Sequence, residues 1–308
     1  MRMLPKVSIV IPGYNCAKTI EENLRACFNQ DYLRDLYEVI FVDDGSTDNT
    51  GDIVRQFPVK YIYQKNSGPA QARNKGWQEA EGEIIIFTDS DCIPDKQWIK
   101  NLVRNFNHKK IGAVGGSYGI KNSENLLASC IHAEILWRHQ KMSREVKALG
   151  SYNLAIPKKI LLELNGFEES YLTASGEDND LSYRLLKKGY RLIFEPNALV
   201  YHYYPERIIP YLKHQFRHGY WRVKLYRDHI RMIKGDDYSN FLDYFSPLLA
   251  LSFFLTPLLF IELFRALRIV LYTKKIVHFF LFFIILLRDF WRGAGLLLGI
   301  FKFLVLWL

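Results

Sequence analysis

What this chain has little of narrows its chemistry first. It holds only four cysteines, Cys16, Cys27, Cys92 and Cys130, scattered without a CxxC pair or a zinc spacing. A disulfide scaffold and a cysteine-built zinc site are therefore not expected, and the four read as reduced, mostly buried thiols suited to the cytosol. No GxxxxGK[ST] occurs and no GxGxxG follows the first apolar run, which removes the P-loop and the dinucleotide site. There is no internal repeat and no low-complexity tract. The start is short and polar, and the apolar run at 7–11 is too brief for a secretory signal, so none is expected.

Positive charge is present but unevenly placed. The 308 residues carry a formal charge of +9, with 49% hydrophobic and 15% aromatic residues, enough for one α/β domain and an appendage. Between 206 and 234 stand eight Lys or Arg against Glu206 and Asp228, a surplus of six. Such a patch seeks phosphates, on nucleic acid, anionic lipid or a diphosphate ligand. Because it runs directly into an apolar tail, nucleic acid fits least, and no nucleic-acid partner is expected.

From residue 7 to about 120, apolar runs of four to six residues alternate with helical periods. VSIVIP, YEVIFV, VKYIYQ and GEIIIFT read as strands, and the run closes on IGAVGG. Helices are expected over 19–28, 48–57, 69–81 and 95–106. This alternation means βαβ units and a mainly parallel sheet. In such sheets ligands sit beyond the carboxyl ends of the strands. Three of those ends carry polar groups, Pro12-Gly13-Tyr14-Asn15, Asp43-Asp44-Gly45-Ser46 and Asp89-Ser90-Asp91, which should gather at one rim. Less regular sequence follows, with helices expected over 128–142, 158–164 and 178–188, then strands at RLIFEP and ALVYHY. The glycine-rich IGAVGGSYG reads as a flexible flap or a plain turn. The domain boundary is placed near 240, giving 1–240, including a basic helical segment at 206–235, and 241–308.

The rim residues carry the chemistry. In IIIFTDSDC (84–92), Asp89 and Asp91 stand one residue apart, so in a β conformation both would project to one face. Like charges so close call for a cation between them, and hard Mg²⁺ or Mn²⁺ takes carboxylate oxygens. The alternative is a loop whose aspartates cap the next helix. DDGSTD can be a turn with Ser46 capping, or can bring a carboxylate to a nucleobase or ribose. Arg73 stands early in a helix that starts at the same rim, either as a solvated helix residue or as a ligand contact. In SGEDNDLSYRLLKKG (175–189), acids crowd the first turn, Lys187 and Lys188 the last, and Gly189 ends the helix. Asp178 is a candidate general base there, but Ser175 and Asp178 also have capping-box spacing.

VSIVIPGYN, VDDGSTDNT, NSGPAQARNKG, FTDSD, GSYNLAIPKK and GEDNDLSYRLLKKGYRL stand in this order over residues 6–202, about two-thirds of the chain. Together they resemble the family 2 inverting glycosyltransferases of the GT-A fold. The resemblance implies a nucleobase pocket lined by Pro12 and Tyr14, with Asp44 or its neighbour Asp43, and Arg73, bonding the base. It implies that Asp89 meets the ribose, that Asp91, with Asp89 beside it, binds the Mg²⁺ or Mn²⁺ bridging the donor diphosphate, and that Asn153 and Glu177 face the donor sugar. Asp178 would be the base. His202 matches a position where some relatives place a metal or diphosphate ligand, though a lone histidine is also commonly structural. The QxxRW motif of the processive synthases is absent. The corresponding HQFRHGYWRVK has His218 three residues after Gln215, so processive synthesis is not indicated, while Arg217, Arg222 and Lys224 remain possible contacts for a diphosphate or lipid phosphate.

The implied reaction is transfer from a UDP- or GDP-sugar to a lipid-linked or cell-envelope glycan at the cytosolic membrane face. The alternatives are a polyprenyl-phosphate sugar synthase of the dolichyl-phosphate type, a catalytically silent nucleotide-sugar sensor, and a nucleotidyltransferase. The tail supports membrane attachment. Residues 244–261 are eighteen without a charge, near the ~20 that cross a bilayer, though Pro247 and Pro257 interrupt them. Arg265, Arg268, Lys274 and Lys275 follow, then IVHFFLFFIILL, then Arg288, Asp289 and Arg292, then GAGLLLGIFKFLVLWL. Two or three membrane segments are expected, some re-entrant or interfacial, with Trp291 and Trp307 in an interfacial belt. The competing expectation is a buried helical hairpin or dimer interface.

Overall fold

The computed structural model describes residues 4–233, 235, 237, 247, 248, 250 and 255–305. These form two compact units that interleave in sequence. One comprises the chain through Gly119 with Ser143–His202, and the other Ile120–Met142 with the described residues from Tyr203 onward. The change-over after His202 precedes the expected boundary near 240. The reason is visible in the packing: Cys130 and Ala133 share one apolar core with Tyr211, Leu212, Ala266, Ile269 and Ile284.

The first unit is built on strands β1 (Val7–Gly13), β2 (Tyr37–Asp43), β3 (Lys60–Tyr63), β4 (Ile84–Thr88), β5 (Cys92–Pro94), β6 (Ile111–Ile120), β7 (Glu145–Val146), β8 (Asn153–Pro157) and β9 (Arg191–His202). Its helices are α1 (Ile20–Phe28), α2 (Thr50–Val54), α3 (Pro69–Gln78), α4 (Trp98–Val103), α6 (Lys158–Leu164) and α7 (Glu177–Lys187). Among the described residues the sheet order is β3-β2-β1-β4-β8-β6-β9-β5, with β7 on β9. Every residue of β4 and all but Pro12 of β1 are buried, as expected of Val/Ile runs covered on both faces.

The expected parallel pairing holds for β1 with β2, β1 with β4 and β2 with β3. Beyond β4 the sheet turns antiparallel, in the β4–β8, β6–β8, β5–β9 and β7–β9 pairs. The sheet is therefore mixed rather than mainly parallel. Register places Gly13 opposite Asp43 and Asp43 opposite Tyr63, so the parallel strands deliver their carboxyl ends to one rim. RLIFEP and ALVYHY are a single strand, β9, which sets His202 opposite Cys92. The glycine-rich run is not a flap but strand β6. A Cβ on Gly116 would lie 2.0 Å from the carbonyl oxygen of Ala198, so only glycine lets β6 come this close to β9. All four cysteines are free and buried.

The second unit contains α5 (Leu126–His139), α8 (Ile208–Asp228), α9 (Leu255–Thr273) and α10 (Leu281–Ile300), the last running into a π-turn over Phe301–Val305. Here α8 and α10 cross in near backbone contact. A Cβ on Gly295 would sit 2.0 Å from the Phe216 carbonyl oxygen, and Gly295 and Gly299 have the spacing that lets helices approach closely. Glu262 and Arg265 of α9, and Arg288 and Asp289 of α10, are buried. Arg288 donates twice to the Glu134 carboxylate of α5, at 2.7 Å each, and Arg138 adds a bond of 2.8 Å. Burial alone would push the Glu134 carboxyl up, but the guanidiniums of Arg288 and Arg138 pull it below the usual carboxylate range.

Among the described residues no helix is long and apolar enough to cross a membrane. The physical reason is charge: α9 contains Glu262, Arg265 and Arg268, and α10 contains Arg288, Asp289 and Arg292. The expected spanning segments are thus not found in α9 or α10. Residues 244–246, 249 and 251–254 of the 244–261 run, and Trp307, lie outside the described residues.

Candidate active site

Three loops build the rim. After β1, Tyr14 is exposed and Pro12 half-buried. Asn15 adopts the left-handed φ of 50°, which its short polar side chain tolerates, and its Oδ1 accepts from the Thr47 N–H at 2.8 Å. This fastens the loop after β1 to the loop after β2. In that second loop Asp43 Oδ1 accepts from the Ser46 N–H and Oδ2 from the Tyr61 hydroxyl, both at 2.7 Å. Asp43 is therefore a buried loop builder rather than the open base contact expected of it. Asp44, also buried, accepts from Gln64 Nε2 at 2.7 Å and from the N–H groups of Ser67 and Gly68 at 2.8 and 2.9 Å. It fixes the turn that leads into α3.

Arg73 departs furthest from expectation. It is only 2% exposed, and it donates to Glu177 Oε1 and to Asp89 Oδ1, both at 2.9 Å. Its guanidinium is a strut between two carboxylates, not a contact for a base. Glu177 is likewise buried, its other oxygen accepting from the Ser175 N–H at 2.8 Å, so it does not reach a donor sugar as expected. A cation sealed in the interior has to be compensated internally, and these two acids do it.

The Asp89-Ser90-Asp91 stretch is a turn rather than strand. β4 stops at Thr88, and the Cys92 N–H donates to the Asp89 carbonyl at 3.0 Å. The expected projection of both carboxylates to one face therefore does not occur. Asp89 goes to Arg73, while Asp91 Oδ2 lies 3.4 Å from His202 Nε2, placed there by the β5–β9 pairing. Donor atoms of Asp91, Cys92 and His202 all lie within 4.8 Å of one another. Two cis ligands on an octahedral ion with bonds of ~2.1 Å stand about 3 Å apart, so Asp91 and His202 fit one hard cation. The Cys92 thiol fits it poorly, because burial pushes its pKa well up and keeps it protonated. Asp89, expected as a further ligand, is tied to Arg73 instead. Burial lowers the His202 pKa, but Asp91 more than offsets this and the net shift is upward.

Helix α7 begins at Glu177, and its cap is Gly176 with φ 113° and no side-chain cap bond. Ser175 Oγ donates to the Ala174 carbonyl, so the capping box open to Ser175 and Asp178 is not formed. Asp178 is half-buried and accepts from the Asn179 N–H at 2.8 Å and, more weakly, the Ser151 N–H at 3.4 Å. Burial raises the pKa of both acids. Glu177 is pushed up to about 7, first by burial and then by the neighbouring Asp178, and Asp178 rises against the pull of Arg73. The charge of Asp89 also raises Asp178, so the helix start and the aspartate turn share one electrostatic neighbourhood.

Asn153 lies in the core. Its Nδ2 donates to the carbonyls of Ser117 and Ala198 at 3.2 and 2.8 Å, and its Oδ1 accepts from Trp98 Nε1 at 2.8 Å. It clamps β6, β8, β9 and α4 and has no face toward a sugar. What sequence reasoning missed is aromatic. Tyr118 and Tyr152 stack at 3.6 Å between centroids, with Tyr118 5.3 Å from the His202 ring. The repeated Ser-Tyr at 117–118 and 151–152 was the available signal. In the second unit Arg217 is exposed, Arg222 lies over the Tyr226 ring at 5.7 Å, and Lys224 is paired with Asp228 at 2.8 Å.

The model of Glycosyl transferase family 2 matches residues 8–157, and that of Glycosyl transferase family group 2 matches 84–301. The chain is 31% identical to the probable glycosyltransferase YdaM of Bacillus subtilis over 77% of its length and 57% of that protein's. It is 30% identical to glycosyltransferase AglE of Haloferax volcanii, covering 72% of this chain and 75% of that one. It is 26% identical to the poly-beta-1,6-N-acetyl-D-glucosamine synthase of Staphylococcus aureus, over 83% and 61%. The chain thus spans somewhat over half the length of two of these three relatives. Among solved structures, the mannosyltransferase PcManGT of Pyrobaculum calidifontis, in complex with GDP-Man and Mn2+, superposes with a TM-score of 0.67 at 21% identity. That likeness covers 98% of this chain and 88% of the other, and it speaks for a shared GT-A-like mixed α/β fold alone. With the family group matched over 84–301 and AglE matched over three-quarters of its length, the chain belongs to glycosyltransferase family 2.

Proposed function

We propose that this protein transfers a sugar from a nucleoside-diphosphate sugar, of UDP or GDP type, to an acceptor hydroxyl with inversion at the anomeric carbon. The carrying observation is Asp178: a half-buried carboxylate with a raised pKa, free of the capping bond its position offered, at the rigid start of α7. Such a group takes the proton from an attacking hydroxyl. Ser151 and Asn179 orient it through their N–H groups, and Arg73, held by Glu177 and Asp89, fixes the helix start against the aspartate turn. Exposed Tyr14, at the end of β1, offers a ring on which a nucleobase can stack, with Pro12 beside it.

Asp91 and His202 would hold Mg²⁺ or Mn²⁺. A cation bound there supplies Lewis-acid compensation for charge developing on the departing nucleoside diphosphate. PcManGT carries Mn2+ and GDP-Man, which supports this donor class. We place the catalytic unit on the cytosolic side of a membrane, where free buried thiols persist, with a lipid-linked or cell-envelope glycan as acceptor. A polyprenyl phosphate is the alternative acceptor.

The test is a panel of nucleotide sugars with Mn²⁺ or Mg²⁺, followed by release of nucleoside diphosphate. Asp178→Asn should keep donor binding and lose roughly 10²–10⁴-fold in turnover. Full turnover in that variant removes Asp178 from the base role. Release of pyrophosphate points instead to nucleotidyl transfer, and binding without turnover to a sensor.

A further inference from the structure

Helices α9 and α10 are built inside out. Their charged residues Glu262, Arg265, Arg288 and Asp289 face inward, with Arg288 bonded to Glu134 of α5. Their apolar residues face outward. On α9 Phe260, Phe264, Leu267 and Leu271 recur at i, i+4, i+7 and i+11, one helical face, and all are exposed, Leu271 to 76%. On α10 Phe283, Leu287, Phe290 and Leu297, continued by Phe301 in the π-turn, repeat the pattern and are exposed as well. Ile276, between the helices, is 80% exposed. An apolar row of this extent is not left to water in a stable protein.

The charges around these rows say what covers them. Within 255–305 the only acidic residues are Glu262 and Asp289, both buried, whereas Arg268, Lys274, Lys275 and Lys302 are exposed. Every exposed charge on this segment is therefore positive. In the same unit Lys213 and Arg217, one helical turn apart and both exposed, line a cleft of about 260 Å³ with Phe216 and Trp291. An apolar floor under two cations suits a phosphate carried on a hydrocarbon. A second copy of this face would meet like charge, whereas an anionic bilayer joins negative phosphates to an apolar layer deep enough for both rows. Because neither helix is apolar enough to cross a membrane, the fitting arrangement is in the interfacial plane.

We propose that α9 and α10 form an in-plane docking face for an anionic lipid bilayer. The outward rows enter the boundary between headgroups and acyl chains, while Arg268, Lys274 and Lys275 sit on lipid phosphates. This deepens the membrane location proposed above and rests on it, but it does not depend on the donor chemistry.

The test uses the full chain and sedimenting vesicles of phosphatidylcholine, alone or with about a third phosphatidylglycerol. Binding to the anionic vesicles should be at least about 10-fold tighter, and salt should weaken it. Lys274→Glu with Lys275→Glu, at exposed positions that leave folding intact, should weaken it about 10-fold or more. Phe264→Glu with Leu271→Glu should abolish it, with unchanged circular dichroism. Equal binding to both vesicle types, or binding indifferent to these changes, overturns the proposal. So does displacement by soluble glycerol phosphate, which would mark a simple phosphate site. Resistance to alkaline carbonate extraction would mark a spanning segment and overturns the in-plane geometry. A dimer dissolved by Phe264→Glu with vesicle binding intact would assign the face to a second copy. Nucleoside diphosphate release in the same variants reads the donor reaction separately, so a failed docking face and a failed donor reading are distinguishable.

Discussion

Arg73 joins residues that the chain keeps far apart: Asp89 lies 16 positions away and Glu177 104. Removing its guanidinium leaves Glu177 buried without its cation, which is costlier than the pair itself is stabilising. Arg73→Ala should lower the unfolding free energy by about 3–5 kcal/mol in urea titrations. Arg73→Lys should restore only part of this, because an ammonium cannot bond both carboxylates in one planar fork. His202 gives a pH dependence with a definite sign. Asp91 raises its pKa above the ordinary 6.5, so in metal-free protein the charged pair stabilises below 6.5 and the contribution fades as pH rises past the raised value. Metal requires the neutral imidazole and works oppositely. Calorimetric Mn²⁺ affinity should therefore be higher at about pH 8 than at about pH 6. His202→Ala should weaken it and flatten the dependence.

At the level of elements, the crossing of α8 and α10 depends on glycine where a side chain would meet backbone. The carbonyl of Phe216 cannot give way as a flexible side chain can. Gly295→Leu should cost about 3 kcal/mol, read as a lowered melting temperature, whereas Leu297→Ala on the exposed face should change little. How much of these elements the sequence disclosed follows from how local their causes are. Strands β1, β2 and β4 were legible because nearly fully buried parallel strands are continuous apolar runs, and β3, which has no buried residue, by its aromatic and β-branched KYIY. The antiparallel pairs beyond β4 were not, since register between β8, β6 and β9 depends on contacts that no local period encodes. Helix α7 was legible in its acidic start and its glycine end, and the inward turn of Glu177 was not, because its partner sits on α3. In α10, Arg288 and Asp289 read as interruptions of a membrane run. The spacing of Phe283, Leu287 and Phe290 already marked the outer face, but only the position of Glu134 shows where the charges go.

On the scale of the whole molecule, the two units have separate cores, one around Ile9, Phe41, Ile86 and Trp98, the other around Ala133, Tyr211, Ala266 and Ile284. Separate cores need not melt together. Differential scanning calorimetry should resolve two transitions, and Mn²⁺ with a nucleoside diphosphate should raise only the one belonging to the first unit. At about 100 times the dissociation constant the gain is about 2.7 kcal/mol. A single transition, or an equal shift of two, would show the units to be one cooperative block. The interleaving of the units was hidden in the sequence because 120–142 resembles its neighbours in composition and differs only in what it packs against.

The four inaccessible thiols have a practical consequence. Burial pushes the pKa of Cys16 and Cys130 to about 11, and raises Cys27 and Cys92 as well, so at neutral pH none offers a nucleophile to a maleimide. A cysteine placed at a chosen surface position would then be the sole site of alkylation in the native protein. Leu271→Cys, carrying a polarity-sensitive fluorophore, could report from the middle of the α9 row without any native cysteine having to be replaced.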